Sequence, residues 1–212
     1  MKLPLRPLSV VLIAALTSLA KAQTTPAHHS LSMDVKQTAS GGSSSNQNNV
    51  KDQPGGQPGG PVAEQQHLSS THEQKTGVSL SVEVRNLAPA ADQAKLEYYF
   101  FGKPMEKGDQ FIFDSGSKDV SVNPAGRQTF DLQSSELEAR EERNAHINKG
   151  AVKGKAIQPK TSEKKTGAKV AGWMVRLTAD GQVLQVRASS PTFETLGKND
   201  AQLSAFPKEQ PK

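Results

Sequence analysis

The segment from Trp173 to Ala188 constrains the fold more than any other part of this 212-residue chain. Its centre is Asp180-Gly181, a dipeptide favoured in type I′ hairpin turns because both central residues need a positive φ. A two-residue turn here pairs only apolar residues on one face: Leu177 with Leu184, Val175 with Val186, and Trp173 with Ala188. A one-residue slip would invert every side chain. The sequence therefore predicts an inward-facing Trp173 and an exposed opposite face with Arg176 and Gln185.

Alternation of apolar and polar residues continues over most of the second half of the chain, which is typical of half-buried strands. The predicted strands are Val78–Arg85, Ala94–Gly102, Gln110–Asp114, Asp119–Val122 and Gln128–Leu132. Asn-Pro-Ala-Gly at 123–126 predicts a tight turn between the last two. The predicted core consists of Val82, Val84, Leu96, Tyr98, Phe100, Trp173, Val175, Leu177, Leu184 and Val186. Together these patterns predict an all-β, antiparallel sandwich.

The aromatic residues mark the limits of this domain. Residues 1–97 contain none, whereas the single Trp, both Tyr and all seven Phe lie between Tyr98 and Phe206. Ser40–Val62 is rich in Ser, Gly, Asn, Gln and Pro, and such a composition does not offset the entropy lost on ordering. We therefore predict a disordered tail and linker at 23–76, with one short strand around Leu31, Met33 and Val35. The sandwich is expected at 77–196 and a C-terminal tail at 197–212.

The first 22 residues have the layout of a secretory signal peptide. Lys2 and Arg6 precede an apolar run from Leu8 to Leu19, and the following Ala20-Lys21-Ala22 supplies small residues for cleavage between Ala22 and Gln23. We expect an exported protein, periplasmic or extracellular, with no membrane span after the signal is removed. Cleavage leaves 23 of the 26 basic residues beside 21 acidic ones. This near balance argues against a nucleic-acid-binding domain, which is usually strongly basic.

A charged segment interrupts the strand pattern. Ser134–Ile147 combines a capping box at Ser135 and Glu138 with a Glu136–Arg140 spacing, and both features are typical of a short helix. A lysine-rich stretch follows at 148–169, and we expect it to be a flexible insertion. Its lysines are the candidate contacts for a polyanion: Lys149, Lys153, Lys155, Lys160, Lys164, Lys165 and Lys169. The alternative is a solvated loop, because stacking aromatic residues are absent from the stretch.

The strand order resembles immunoglobulin-like and fibronectin-type-III-like modules of exported bacterial proteins, and secreted proteins of unassigned function from verrucomicrobial-type bacteria. The segments that carry the resemblance are Val-Glu-Val-Arg-Asn at 82–86, Leu-Glu-Tyr-Tyr-Phe at 96–100, Asn-Pro-Ala-Gly-Arg-Gln-Thr-Phe at 123–130 and Gly-Trp-Met-Val-Arg-Leu at 172–177. The chain differs from antibody domains in having no cysteine and in placing its Trp on the penultimate strand. The resemblance implies adhesion, spacing or binding, and no particular chemistry.

No catalytic motif is present in the sequence. It lacks the nucleophile elbow, the zinc-protease helix, the phosphate loop and the dinucleotide fingerprint. His28, His29, His67 and His72 fall in the predicted tail and linker, where ligand positions would not be fixed, and His146 has no partner in sequence. We expect no enzyme activity, no metal and no cofactor.

Two aromatic residues raise an alternative to a purely structural role. If Leu96, Tyr98 and Phe100 face the core, then Tyr99 and Phe101 point outward, where aromatics stack on sugars or anchor a protein partner. The leading hypothesis is a non-catalytic module for protein association or envelope structure, with an unknown protein or glycan of the cell envelope as partner. The alternatives are a carbohydrate-binding module using Tyr99 and Phe101, and polyanion binding through the lysines.

Overall fold

The computed structural model describes residues 29–39, 41–48, 65–148 and 160–208. The elements in this part of the chain are β1 (Leu31–Ala39), β2 (Gly42–Asn48), β3 (Gln65–Thr76), β4 (Ser79–Asn86), β5 (Asp92–Pro104), β6 (Phe111–Val122), β7 (Arg127–Gln133), β8 (Leu137–Asn148), β9 (Lys160–Ala179), β10 (Gln182–Ala188), α1 (Pro191–Gly197) and α2 (Asp200–Ala205). All strand pairs are antiparallel. None of the helices in these ranges has the length and apolar character that crossing a membrane requires.

Two sheets form a sandwich. The smaller sheet has the order β1-β4-β7, and the larger has the order β2-β3-β8-β9-β5-β6 with β10 also paired to β9. Apolar side chains from both sheets meet in the sandwich core, which consists of Met33, Val78, Leu80, Val82, Val84, Leu96, Phe100, Val120, Val122, Phe130, Leu132, Trp173, Val175 and Leu177. The antiparallel sandwich predicted from the alternation is therefore confirmed, and so is the strand around Met33.

The outer face of the larger sheet carries a second apolar cluster, which we call the helix core. It consists of Phe101, Ile112, Met174, Val186, Phe193 and Leu203. Phe193 belongs to α1 and Leu203 to α2, so both helices lie on this face of the sheet. The predicted C-terminal tail at 197–212 is wrong for residues 197–206, because α2 and Phe206 pack here.

One part of the larger sheet shows no apolar core among its described side chains. We call it the polar arm: β2, β3, β8 and residues 160–167 of β9. Among its described side chains only Ala139 is buried. Its charged residues pair across strands, with Lys75 bound to Glu138 at 2.5 Å and Arg143 to Glu163 at 3.3 Å. Such cross-strand pairs supply the modest stabilisation that a solvated sheet can obtain.

The helix predicted at Ser134–Ile147 is wrong, because these residues mostly form β8. Ser134 does not cap a helix: its hydroxyl accepts a hydrogen bond from the Val78 amide at 2.8 Å. Arg140 pairs with Glu73 on β3 at 3.6 Å instead of Glu136 one turn away. An i,i+4 pair contributes only a few tenths of a kcal/mol, whereas β3 offers β8 a twelve-residue ladder. Long-range pairing therefore overrides the local helical signals.

Of the tail and linker predicted to be disordered at 23–76, the structure describes residues 29–39, 41–48 and 65–76. They contain β1, β2 and β3, and β2 lies within the Ser40–Val62 stretch. The flexible insertion expected at 148–169 is wrong for residues 160–169, which belong to β9. The predicted signal peptide, its cleavage site and residues 49–64 and 149–159 lie outside the described residues. Gln110–Asp114 and Asp119–Val122 join into the single strand β6.

The final hairpin has the predicted turn but a different register. Asp180 and Gly181 both have positive φ, 50° and 73°, and Ala179 pairs with Gln182. A bulge between Val183 and Gln185 then shifts the pairing by one residue, so that Val175 faces Arg187 and Arg176 faces Val186. The predicted apolar pairs are wrong beyond the bulge. Val186 moves to the helix core, whereas Leu184 packs at the edge of the sandwich core.

The remaining predicted core residues lie inside as expected. Val82, Val84, Leu96, Phe100, Val175 and Leu177 are buried, and Tyr98 is half-buried against the same cluster. Trp173 retains 9% exposure, and its indole Nε1 donates to Gln37 Oε1 at 3.1 Å. Gln37 lies on β1, so this bond ties the smaller sheet to the larger one.

Candidate functional site

A buried arginine organises the outer face of the larger sheet. Arg176 on β9 pairs in register with Glu97 on β5, and its Nε and Nη2 donate to Glu97 Oε2 at 2.9 and 2.6 Å. Only 7% of Arg176 is exposed. The prediction that Arg176 lies on an exposed face is therefore wrong, because the two C-terminal helices cover that face.

The same guanidinium forms hydrogen bonds with both C-terminal helices. Its Nη1 donates to the carbonyl of Gly197 at the end of α1, at 3.2 Å, and to Asp200 Oδ1 in the first turn of α2. Asn199 caps α2, since its side-chain oxygen accepts from the Gln202 amide at 3.1 Å. Arg176 thus joins β5, β9, α1 and α2 through one planar group.

Beside this arginine lies a cavity of about 340 Å³, which we call the Arg176 cleft. Its volume is within the range of roughly 300–1,000 Å³ that is usual for ligand pockets. It is lined by Glu97, Tyr99, Arg176, Thr178, Gly181, Val183, Asp200, Leu203, Ser204 and Lys208. Burial raises the pKa of the Tyr99 phenol, and the negative charge of Glu97 adds to the rise. Tyr99 therefore stays protonated at neutral pH and presents an O–H donor.

Tyr99 and Phe101 share a face, as predicted, but they do not form one exposed platform. Phe101 is fully buried: its ring stacks on Phe193 with centroids 4.1 Å apart and meets the edge of Phe206 at 5.4 Å. The expectation that Phe101 points into solvent is therefore wrong, because α1 and the residue following α2 cover it. Tyr99 is half-buried and remains at the cleft.

Four of the seven candidate polyanion contacts lie in the described residues, and all four are on β9. Lys149, Lys153 and Lys155 lie outside the described residues, Lys160 begins β9, and Lys169 is exposed. Lys164 and Lys165 face Glu142 and Glu141 across the strand pair.

A shallow groove of about 740 Å³ lies beside Lys164 and Lys165. Among its lining residues are Lys103, Lys107, Lys164, Lys165, Glu106 and Glu163. Lys165 also binds Glu163 at 3.1 Å. Glutamates therefore offset much of the positive charge that the sequence places in this region.

His29 has two carboxylate partners that the sequence did not reveal. Its Nδ1 lies 2.8 Å from Asp92 Oδ1 and its Nε2 lies 3.1 Å from Asp180 Oδ2. The hydrogen bond to Asp92 raises the pKa of His29, and the bond to Asp180 raises it further against the opposing effect of burial. The His29 ring thus links the segment before β1 to the start of β5 and to the hairpin turn.

The other histidines give no described metal site. His72 is exposed on β3, and the backbone register places His67 opposite His146. Within the ranges that the structure describes, no three His, Cys, Asp or Glu side chains are grouped so as to hold a metal ion.

The residues of the Arg176 cleft were mostly missed by the sequence analysis. Its two helices have start signals that could have been recognised: Ser190 followed by Pro191, and Asn199 followed by Asp200. Ser and Asn are preferred N-cap residues and Pro is preferred at the first helical position. The pairing of Glu97 with Arg176 has no comparable local signal, because the two residues are far apart in sequence.

Comparisons with known proteins provide little information about this site. No protein-family model matches the chain, and no curated protein sequence matches it. A crystal structure of a protein from Akkermansia muciniphila aligns with a TM-score of 0.23 and 11% sequence identity. The alignment covers 86% of this chain and 96% of that one.

Proposed function

We propose that this protein is an exported, non-catalytic β-sandwich module of the immunoglobulin-like kind, and that it associates with a second copy of itself through the free edge of β2. The polar arm carries this proposal. Its strands add between seven and twelve residues of paired backbone each, and among their described side chains only Ala139 is buried, so the contribution of the arm to the stability of the sandwich is small. A role in binding another molecule therefore explains the polar arm better than a role in the folding of a single chain does.

Within the described part of the chain, the edge of β2 is not paired with a further strand and lacks the charged residues and proline that commonly prevent strand addition. Among the described residues β2 pairs only with β3, so one row of backbone donors and acceptors is left without a neighbouring strand. Natural edge strands are commonly guarded by charged residues or proline. Gly42–Asn48 reads Gly-Ser-Ser-Ser-Asn-Gln-Asn and contains neither.

A second copy is the occupant that fits this edge best. Ser, Asn and Gln each carry both donors and acceptors, so the segment is chemically complementary to itself. Two antiparallel β2 strands related by a two-fold axis would continue the larger sheet from one chain into the next, as isologous interfaces require. The rest of the arm opposes this approach little, because its charged residues nearly balance: Lys75, Arg140, Arg143, Lys160, Lys164 and Lys165 against Glu73, Glu138, Glu141, Glu142 and Glu163.

The test is the oligomeric state of the chain beginning at Gln23, measured by sedimentation equilibrium over a range of concentrations. We expect a reversible dimer. A Ser44→Pro, Asn46→Lys double variant should be monomeric, since proline removes a donor and lysine introduces repulsion at the edge. Its melting temperature should match that of the parent monomer, because the sandwich core is untouched.

A Ser44→Thr, Asn46→Thr variant is the matched control, because threonine is uncharged and suits strands. It should dimerise like the parent. A parent protein that is monomeric at every concentration, or a dimer that the Pro and Lys variant leaves intact, contradicts the proposal.

Export and absence of catalysis are tested separately. The intact mass of the protein recovered from outside the cytoplasm should correspond to a chain starting at Gln23, and a mass that retains Met1 would contradict export. Turnover of broad esterase or glycosidase substrates by the purified protein would contradict a non-catalytic role.

A further inference from the structure

The charges of the Arg176 cleft are already matched within the protein. Glu97 and Asp200 both bind Arg176, and Lys208 supplies a second positive charge at the rim. The formal charges of these two acidic and two basic groups sum to zero. An anionic ligand would approach two carboxylates, and a cationic one would approach a guanidinium and an ammonium. Neither sign of charge is favoured, so the cleft suits a neutral ligand.

Several polar groups nonetheless remain available to a ligand. The Tyr99 and Ser204 hydroxyls and the Lys208 ammonium line the cavity, and within the described chain none of them makes a hydrogen bond. Glu97 uses only one of its two oxygens on Arg176, so the other can accept. A purely apolar ligand would remove these groups from water without giving them partners, which is costly. The ligand must therefore carry several hydroxyl-type donors and acceptors of its own.

The apolar part of the lining is small and suits C–H groups. The Tyr99 ring, Val183 and Leu203 contribute it, and Tyr99 is half-buried, packing against the helix core while it lines the cavity. An aromatic ring with hydroxyl and carboxylate groups around it is the combination that binds a sugar ring, because it offers a surface for C–H groups and partners for O–H groups.

We propose that the Arg176 cleft binds a neutral, polyhydroxylated ligand, namely an uncharged carbohydrate. Arg176 itself holds the cleft together and does not contact the ligand, because its donors are committed to Glu97, Gly197 and Asp200. The ligand is contacted by Tyr99, Ser204 and the free carboxylate oxygen of Glu97. The proposal is independent of self-association through β2, since the cleft lies on the helix-covered face and uses no residue of the polar arm.

The test is an array of neutral, sialylated and sulfated oligosaccharides, followed by titration calorimetry with the best neutral binder. The neutral set should bind in preference to the charged sets. Tyr99→Ala should weaken binding at least tenfold, since it removes both the ring and the hydroxyl. Tyr99→Phe and Ser204→Ala each remove one neutral hydrogen bond and should weaken binding about two- to tenfold.

Two features of the design separate a binding defect from a folding defect. Ser204 is exposed, so its truncation leaves the fold intact even if Tyr99→Ala does not. Tyr98→Phe is the matched control, because Tyr98 lies on the same strand but packs on the sandwich core, and it should bind like the parent. Binding of charged glycans alone, no binding at all, or a dissociation constant unchanged within twofold by both Tyr99→Phe and Ser204→Ala overturns the proposal.

Discussion

Replacing Arg176 by alanine tests whether this buried guanidinium holds the C-terminal helices on the sheet. The variant loses the ion pair with Glu97, whose side chain is only 19% exposed, and the link to Gly197 and Asp200. Removing one partner of a buried ion pair costs roughly 3–5 kcal/mol. Asp200 is 68% exposed, so water solvates its carboxylate once Arg176 is removed. Its contribution to the loss of stability is therefore small. We therefore expect a loss of about 3 kcal/mol in the free energy of unfolding.

The measurement is urea denaturation, supported by thermal melting. For a domain of this size about 3 kcal/mol lowers Tm by roughly 6–12 °C. An Arg176→Met, Glu97→Gln double variant should recover at least half of the loss, because it removes the unpaired buried charge and keeps most of the volume. Arg187→Ala is the control: this arginine is exposed on the neighbouring strand, and its truncation should cost no more than about 0.5 kcal/mol.

A cost for Arg176→Ala as small as that of Arg187→Ala would refute the reasoning. It would mean that α1 and α2 leave the outer face of the larger sheet open around Arg176. A double variant that is less stable than Arg176→Ala would show that the cost comes from lost packing and not from the charge left on Glu97.

Further predictions concern the two cores, a glycine and the histidine. Trp173→Ala should cost about 3–5 kcal/mol in urea denaturation, and the native tryptophan emission should be blue-shifted; a red-shifted emission would contradict its burial. Phe193→Ala should expose Phe101 and increase binding of a hydrophobic dye, and unchanged dye binding would argue against the helix core. Gly167 has φ +81°, and an added Cβ would lie 2.0 Å from the Glu138 carbonyl oxygen, so Gly167→Ala should destabilise the junction of β8 and β9, seen as faster amide exchange there. Because folding raises the pKa of His29, its stabilisation is complete below about pH 6.5 and is lost as the pH rises through the folded-state pKa; His29→Gln should remove that decline from the stability profile, and an unchanged profile would exclude the histidine as its source.

The candidate site could be predicted from the sequence only in part. Alternation correctly placed Tyr99 on the face opposite Tyr98 and Phe100, and Tyr99 lines the cleft. The exposure of Phe101 and Arg176 was predicted wrongly, since alternation tells which residues share a face but not what covers that face. The two short helices that cover it are held by contacts distant in sequence, such as Phe101 with Phe193 and Arg176 with Asp200.

Local chemistry by itself determined the antiparallel sandwich and its turns. The period of two requires strands, and Asp180-Gly181 adopts the positive φ values that its turn type demands. Only the tertiary structure decided the bulge after Val183, the strand character of β8 and the burial of Arg176. Each of these depends on which distant segment pairs or packs with the residue. Pairing along twelve residues of β3, or coverage by a helix, outweighs the few tenths of a kcal/mol with which local sequence favours an alternative.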